Sequence, residues 1–321
     1  MKWCTPVSVA HWKEPMNYQG HFVALGSCFA ETMGNRLLAH RFNGLVNPFG
    51  VLFSPIALAN ILERCANDQF FEISELWEHQ GLFQHPEAHS SCSGTQAEQV
   101  ILALNDRLTL LKKTVTSGAS HVLITIGTSW VYREITTQKR VANCHKKPQH
   151  EFRKELLSVK EVEDSIRQIQ SCLRQLNPHI KIAWTVSPVR HTKDGLIENQ
   201  RSKSHLIAGL HQVLDESTQA DYYFPAYEIV MDELRDYRFY ADDLIHPGTQ
   251  AIEHIWNQWV THAIDAESGK IMEKINGLHV RLKHRPLFED SLTYQQFKEN
   301  LQSDLRDFRN RYPSLNWNDI G

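Results

Sequence analysis

Three short stretches constrain this chain more than any other feature. They are "HFVALG" (21–26), "HVLITIG" (121–127) and "HIKIAWTVSP" (179–188), ended by Gly26, Gly127 and Pro188. Each is an almost unbroken apolar run. Strands that are apolar on both faces need cover on both faces, as in a parallel sheet. A fourth run, "DYYFPAYEIV" (221–230), is weaker because Pro225 interrupts it. Between the runs lie helical patterns at 28–41, 54–66, 95–116, 159–176, 199–215 and 247–264. Ser54 and Pro55 read as an N-cap and first helical residue, Thr95 and Glu98 have capping-box spacing, and Pro247 reads as the start of the last of these helices. Alternating strands and helices predict an α/β layered fold with right-handed crossovers.

Two regions break the rhythm. Residues 70–94 look like an inserted hairpin. From about 265 the pattern is charged and helical, clearest in "LTYQQFKENLQSDLRDFRNRYP". The expected organisation is a main domain over 1–264, with the insertion, and a helical extension over 265–321. There is no repeat and no low-complexity tract. A net charge of −3 supplies no basic field, so neither nucleic acid nor an anionic membrane surface is an expected partner. No apolar run approaches the roughly 20 residues of a membrane span. The N-terminal residues are too weakly apolar for a secretory signal, so the expected location is cytoplasmic. The six cysteines are scattered and read as reduced thiols. Nothing here fixes the oligomeric state.

In an open parallel sheet, ligands bind beyond the carboxyl ends of the strands. Ser27 follows the first run there, "GTSW" (127–130) the second, and "SPVRH", with Ser187 and His191, the third. Late in the chain comes "ADDLIHPG", with Asp243 three residues before His246. A carboxylate at that spacing can hold an imidazole's orientation and tautomer, and the imidazole can activate the Ser27 hydroxyl. The first N–H groups of the helix after Ser27 can receive a developing oxyanion. A plainer reading makes Ser27 a helix cap and His246 a surface side chain.

Other chemistries compete. Cys28 adjoins Ser27 and Cys144 adjoins His145, so a thiol nucleophile is an alternative. His85, His89 and Cys92 have spacings that suit a metal, but Pro86 and the serine run argue for a loop. A dinucleotide site is disfavoured, since the first turn lacks Gly-x-Gly-x-x-Gly.

"GSCFA" (26–30) resembles the signature of the GSCFA domain family, which is similar to the SGNH/GDSL hydrolases. "NPFGVLFSP" (47–55), "ITIGTSWVY" (124–132), "NCHKKP" (143–148), "SPVRH" (187–191) and "DDLIHP" (242–247) match its pattern in order. The resemblance implies a three-layer α/β/α sandwich with a flavodoxin-like parallel sheet. It implies ester hydrolysis or acyl transfer; the expected substrate is a small O-acyl ester, with an acylated carbohydrate in view, and no metal or organic cofactor is expected. Ser27 then matches the nucleophile, Asp243 and His246 the closing pair, and Gly50 an oxyanion donor. The superfamily's Gly-x-Asn is here Gly127-Thr128-Ser129, which leaves the missing donor to Thr128, Ser129, Asn143 or His145. The alternative on the same fold is a catalytically weak module that binds a carbohydrate or partner, with Trp130, Tyr132 and Trp184 as stacking platforms.

Overall fold

The computed structural model describes residues 4–217 and 221–317, and within them all three apolar runs become neighbouring parallel strands. The outer limits of the two expected domains, residues 1–3 and 318–321, lie outside the described residues. The main elements in chain order are β1 (His21–Gly26), α1 (Cys28–Ala39), β2 (Asn43–Val46), α2 (Pro55–Ala66), β3 (Trp77–His79) and β4 (Leu82–Gln84). There follow α3 (Ala97–Ser117), β5 (Ala119–Ile126), β6 (Trp130–Glu134), β7 (Arg140–Val141), β8 (Phe152–Leu156) and α4 (Val159–Leu176). The rest are β9 (Lys181–Val186), α5 (Leu196–Glu216), β10 (Tyr222–Tyr223), α6 (Ala226–Glu228), α7 (Thr249–Ala263), α8 (Ala266–Leu282) and α9 (Leu292–Arg311).

The central sheet runs β10-β9-β5-β1-β2, every pair parallel. Counting its strands by chain position, the order is 2-1-3-4-5, the flavodoxin-like arrangement. The chain reverses its direction of travel between β1 and β5, so the switch point lies there. Alternate residues of β1 enter opposite cores. Val23 and Leu25 pack with α2, α3, α4 and α5, while Phe22 and Ala24 pack with α1 and α7. Helices therefore cover both faces, which is why the strands read as continuous apolar runs.

Some expectations need correction. Only Tyr222–Tyr223 of the fourth run is strand, and beyond Pro225 the chain turns into α6 and a π-helical turn, Ile229–Glu233. Helix α3 begins at Ala97 after Gln96, with no side-chain cap. Pro247 precedes α7 rather than opening it; Gly248 is the N-cap. Residues 70–94 do contain an antiparallel hairpin, β3 with β4. A three-stranded sheet, β7-β6-β8, was not anticipated. Its strands are heavily charged, and Glu155 of β8 draws in Arg133, Arg140 and Arg153. In the tail, Ile271 and Ile275 of α8 pack with Leu315, and Met272 joins the α1–α7 core. Among the described residues no helix is long and apolar enough to cross a membrane.

Candidate active site

The site is built where β1 ends. Gly26 has φ +133, and a Cβ there would lie 2.1 Å from the Thr125 carbonyl oxygen, so only glycine lets the chain turn so close to β5. Asn47 fixes the turn from the other side by accepting the Gly26 N–H at 2.9 Å. Ser27 donates its own N–H to Thr125 O at 3.0 Å. Its side chain is wholly buried, and Oγ accepts the Phe29 N–H at 3.2 Å. Ser27 is thus the N-cap of α1. Cys28, the first helical residue, is partly exposed. Among the described residues no backbone carbonyl accepts the N–H groups of Cys28 and Ala30, at the positive end of α1.

Asp243 and His246 meet as their spacing predicts. His246 Nδ1 and Asp243 Oδ2 lie 2.6 Å apart, and Oδ1 accepts the N–H groups of Ile245 and His246, each at 2.9 Å. The His246 backbone N–H, then its ring, then the Ile245 N–H hold the Asp243 carboxyl down at about 2. The ionised carboxylate accepts the Nδ1 proton, which leaves Nε2 with a lone pair to offer. Both side chains are about half exposed. Their loop is tied down by Ala241 N–H to His246 O, by Gly248 N–H to Phe239 O, and by an Arg190 guanidinium N–H to Leu244 O at 2.7 Å. Arg190 therefore joins the loop to the segment after β9. No hydrogen bond among the described residues joins His246 to Ser27 or Cys28.

The other expected donors are engaged elsewhere. Gly50, with φ +71, gives its N–H to Asn47 O in a tight turn, and a Cβ there would strike His89 at 2.4 Å. Ser129 is wholly buried; its N–H donates to Ser202 Oγ and its hydroxyl to Ser202 O. Thr128 gives its N–H to Phe53 O, and its hydroxyl pairs with Ser202 Oγ. Asn143 reaches Ser90 and the His145 N–H. His145 is buried between Ser90 Oγ and His85 O. These engagements share one cause. The segment after β5 is anchored into α5, and "NCHKKP" is anchored onto the 85–90 loop, so their polar atoms serve the fold. The three residues with metal-like spacing also part company: His85 faces Glu75, His89 caps the turn Ser90–Cys92, and Cys92 meets Arg107. Trp184 has no exposed surface and belongs to the core.

Sequence reading missed Lys203. It lies on α5 with no exposed surface, and Nζ donates to Gly127 O at 2.7 Å and Ser187 O at 2.6 Å. It clamps the segments that follow β5 and β9, and it forms no ion pair among the described residues. Burial pushes its amine down to about 7, and its charge acts on Cys28 and His191. A signal existed: Lys203 sits among Ser202, Leu206 and Leu210, on the stripe that α5 buries. Burial, then the Lys203 charge, push His191 down to about 4, with the His246 charge acting in the same sense. Lys203 therefore acts on both Cys28 and His191 at the sheet's carboxyl edge. Beside it a cleft of about 440 Å³ is lined by Phe53, Thr128, Trp130, Tyr132, His191 and Lys193, among others.

A doubly wound parallel sheet with a polar cluster at its carboxyl edge defines an α/β protein of flavodoxin-like topology. The chain belongs to the GSCFA family, which matches residues 21–259, and residues 275–320 match the GSCFA domain protein, C-terminal domain. No curated protein matches the sequence. Among solved structures, a carbohydrate esterase family 3 protein from Talaromyces cellulolyticus is 10% identical, at a TM-score of 0.34 over 80% of this chain and 99% of that one. A superposition this loose carries no argument about activity.

Proposed function

We propose that the protein transfers acyl groups from small O-acyl esters, by hydrolysis or to a second alcohol, with an acylated carbohydrate as the substrate class. The supporting observation is the Asp243–His246 pair, closed at 2.6 Å through Nδ1. His246 acts as base and then acid, and Asp243 keeps its tautomer and steadies the imidazolium. The nucleophile comes from the turn that joins β1 to α1. The N–H groups of the first turn of α1 receive the oxyanion, a role that Gly50, Thr128 and Ser129 have no free donor to fill. Trp130 and Tyr132 offer partly exposed rings in the adjoining cleft for the alcohol side. The reading needs no cofactor.

A panel of nitrophenyl and acetylated-sugar esters tests this. Turnover is expected in the wild type and in neither His246→Ala nor Asp243→Asn at comparable rate. Turnover that persists in His246→Ala, or none with any ester, overturns the reading. The internal engagement of Thr128 and Ser129 favours the second reading, a binding module. Sugar binding measured by calorimetry without ester turnover would point there.

A further inference from the structure

The cleft of about 440 Å³ has room for a small-molecule ligand, for which about 300 Å³ is the usual lower bound. Its lining carries Lys146, Lys147, Lys193 and Asp194. Two of these are neutralised by the protein itself. Lys147 Nζ lies 2.8 Å from Glu151 and 3.5 Å from Glu134, and Asp194 pairs with Lys154. Lys146 and Lys193 are exposed and have no ion-pair partner among the described residues. Neither hangs from a free loop. His145 and Lys146 have φ of +49 and +60, and such a turn persists only where its surroundings hold it. Here the buried His145 ring sits between Ser90 Oγ and His85 O, and the Lys147 N–H donates to Cys144 O. Lys193 lies in the 3₁₀ turn Thr192–Asp194, held on one side by the Asp194–Lys154 pair and on the other by Arg190. Its charge acts on the Cys144 thiol, two residues from Lys146. Trp130 and Tyr132 lie on one face of β6 and also line the cleft. The Lys154 ammonium lies 4.5 Å from the Trp130 ring centroid, and Trp130 Nε1 donates to Glu198 O at 3.1 Å, so this ring is fixed. The Tyr132 hydroxyl makes no hydrogen bond among the described residues.

We infer that this cleft binds an anionic sugar, a ring that bears a carboxylate or a phosphate; the inference rests on the acyl-transfer reading above and names the alcohol side of its substrate. Lys146 and Lys193 take the anionic group. The Trp130 and Tyr132 rings flank the apolar face of the sugar, and the Tyr132 hydroxyl is left to pair with one of its hydroxyls. The charges decide the class. Two ammonium groups without a counter-charge repel a cationic ligand, and a neutral sugar uses neither of them. An ammonium is a point charge, so it accepts a carboxylate or a phosphate without the fixed planar geometry that a guanidinium imposes.

The test is an NMR titration of the full chain with glucuronic acid, glucose 6-phosphate and glucose at about 0.05 M salt, where surface charges are little screened. At least one anionic sugar should bind about tenfold or more tighter than glucose, and the tighter of the two identifies the anion. Raising the salt to about 0.5 M should remove most of that preference in the wild type. In the double variant Lys146→Gln, Lys193→Gln the ratio of anionic to neutral affinity should fall to about one. Equal affinity for all three sugars, binding of none, or a preference that survives both salt and the double variant overturns the inference. The sugars carry no ester, so the two readings separate. Ester turnover without any preference for acidic sugars leaves the acyl-transfer reading standing and removes this one. Anion-selective binding without turnover of any ester has the opposite meaning: the cleft assignment stands and the ester reading falls.

Discussion

Lys203→Met gives the sharpest test of how the site is built. The unfolded chain keeps a lysine protonated to about pH 10.5, whereas burial lowers the folded amine to about 7. Between these values the unfolded chain binds the extra proton, so this group makes stability rise with pH, by at most about 1.4 kcal/mol per pH unit. Below about pH 7 the charge is present in both states and its burial cost is fully felt. The neutral amine still has two N–H donors for Gly127 O and Ser187 O, so deprotonation need not break the clamp. The measurement is urea unfolding of wild type and Lys203→Met at about pH 6, 7.5 and 9.5. The wild type should gain about 2–3 kcal/mol on the variant between the two higher values. Raised thiols act in the opposite sense, because the unfolded chain loses their protons first. Burial lifts Cys144 to about 11 and Cys65 to about 12. They are present in both proteins and cancel in the difference. Parallel curves would refute the reasoning, since they would mean that Lys203 keeps one protonation state throughout. At about pH 9.5, where the buried amine is neutral, the variant should be the weaker protein by about 1–3 kcal/mol for the two carbonyls left without a donor.

Ser27→Ala removes the α1 cap and should lower unfolding free energy by about 1 kcal/mol, read by chemical denaturation. Asp243→Asn, exposed and on a loop, should fold normally by circular dichroism yet lose about 10²-fold or more in ester turnover. Arg190→Ala should release the Leu244 carbonyl and free the His246 loop, seen as faster amide exchange over residues 241–247. Burial holds His85, His121 and His191 each near 4, so the folded chain refuses protons that the unfolded chain accepts below about 6.5. Stability should therefore fall as pH drops from about 6.5 to 4, and a melting temperature flat across that window would contradict it.

The fold was legible where one physical signal dominated. Strands buried on both faces cannot hide their composition, so β1, β5 and β9 stand out in the sequence. Sheet β7-β6-β8 was hidden because its outer positions carry ion pairs around Glu155, and a run such as "EFRKEL" has the polarity of a loop. The Asp243–His246 pair was legible because it is local, three residues apart. The oxyanion donors were not, because a backbone N–H carries no sequence signature. Whether Gly50 or Thr128 offers one depends on Asn47 O and Phe53 O, which come from elsewhere in the fold.

Ser27 and Cys28 carry the remaining lesson. A strand that ends in a helix must satisfy the first N–H groups of that helix, and a short hydroxyl at the N-cap does so by folding back on the backbone. A hydroxyl used in this way accepts from the backbone and still keeps its own O–H and a second lone pair. The next residue has no such obligation. Its side chain is partly exposed at the first turn of α1. The position that sequence reading assigns to catalysis is therefore also the position that caps α1.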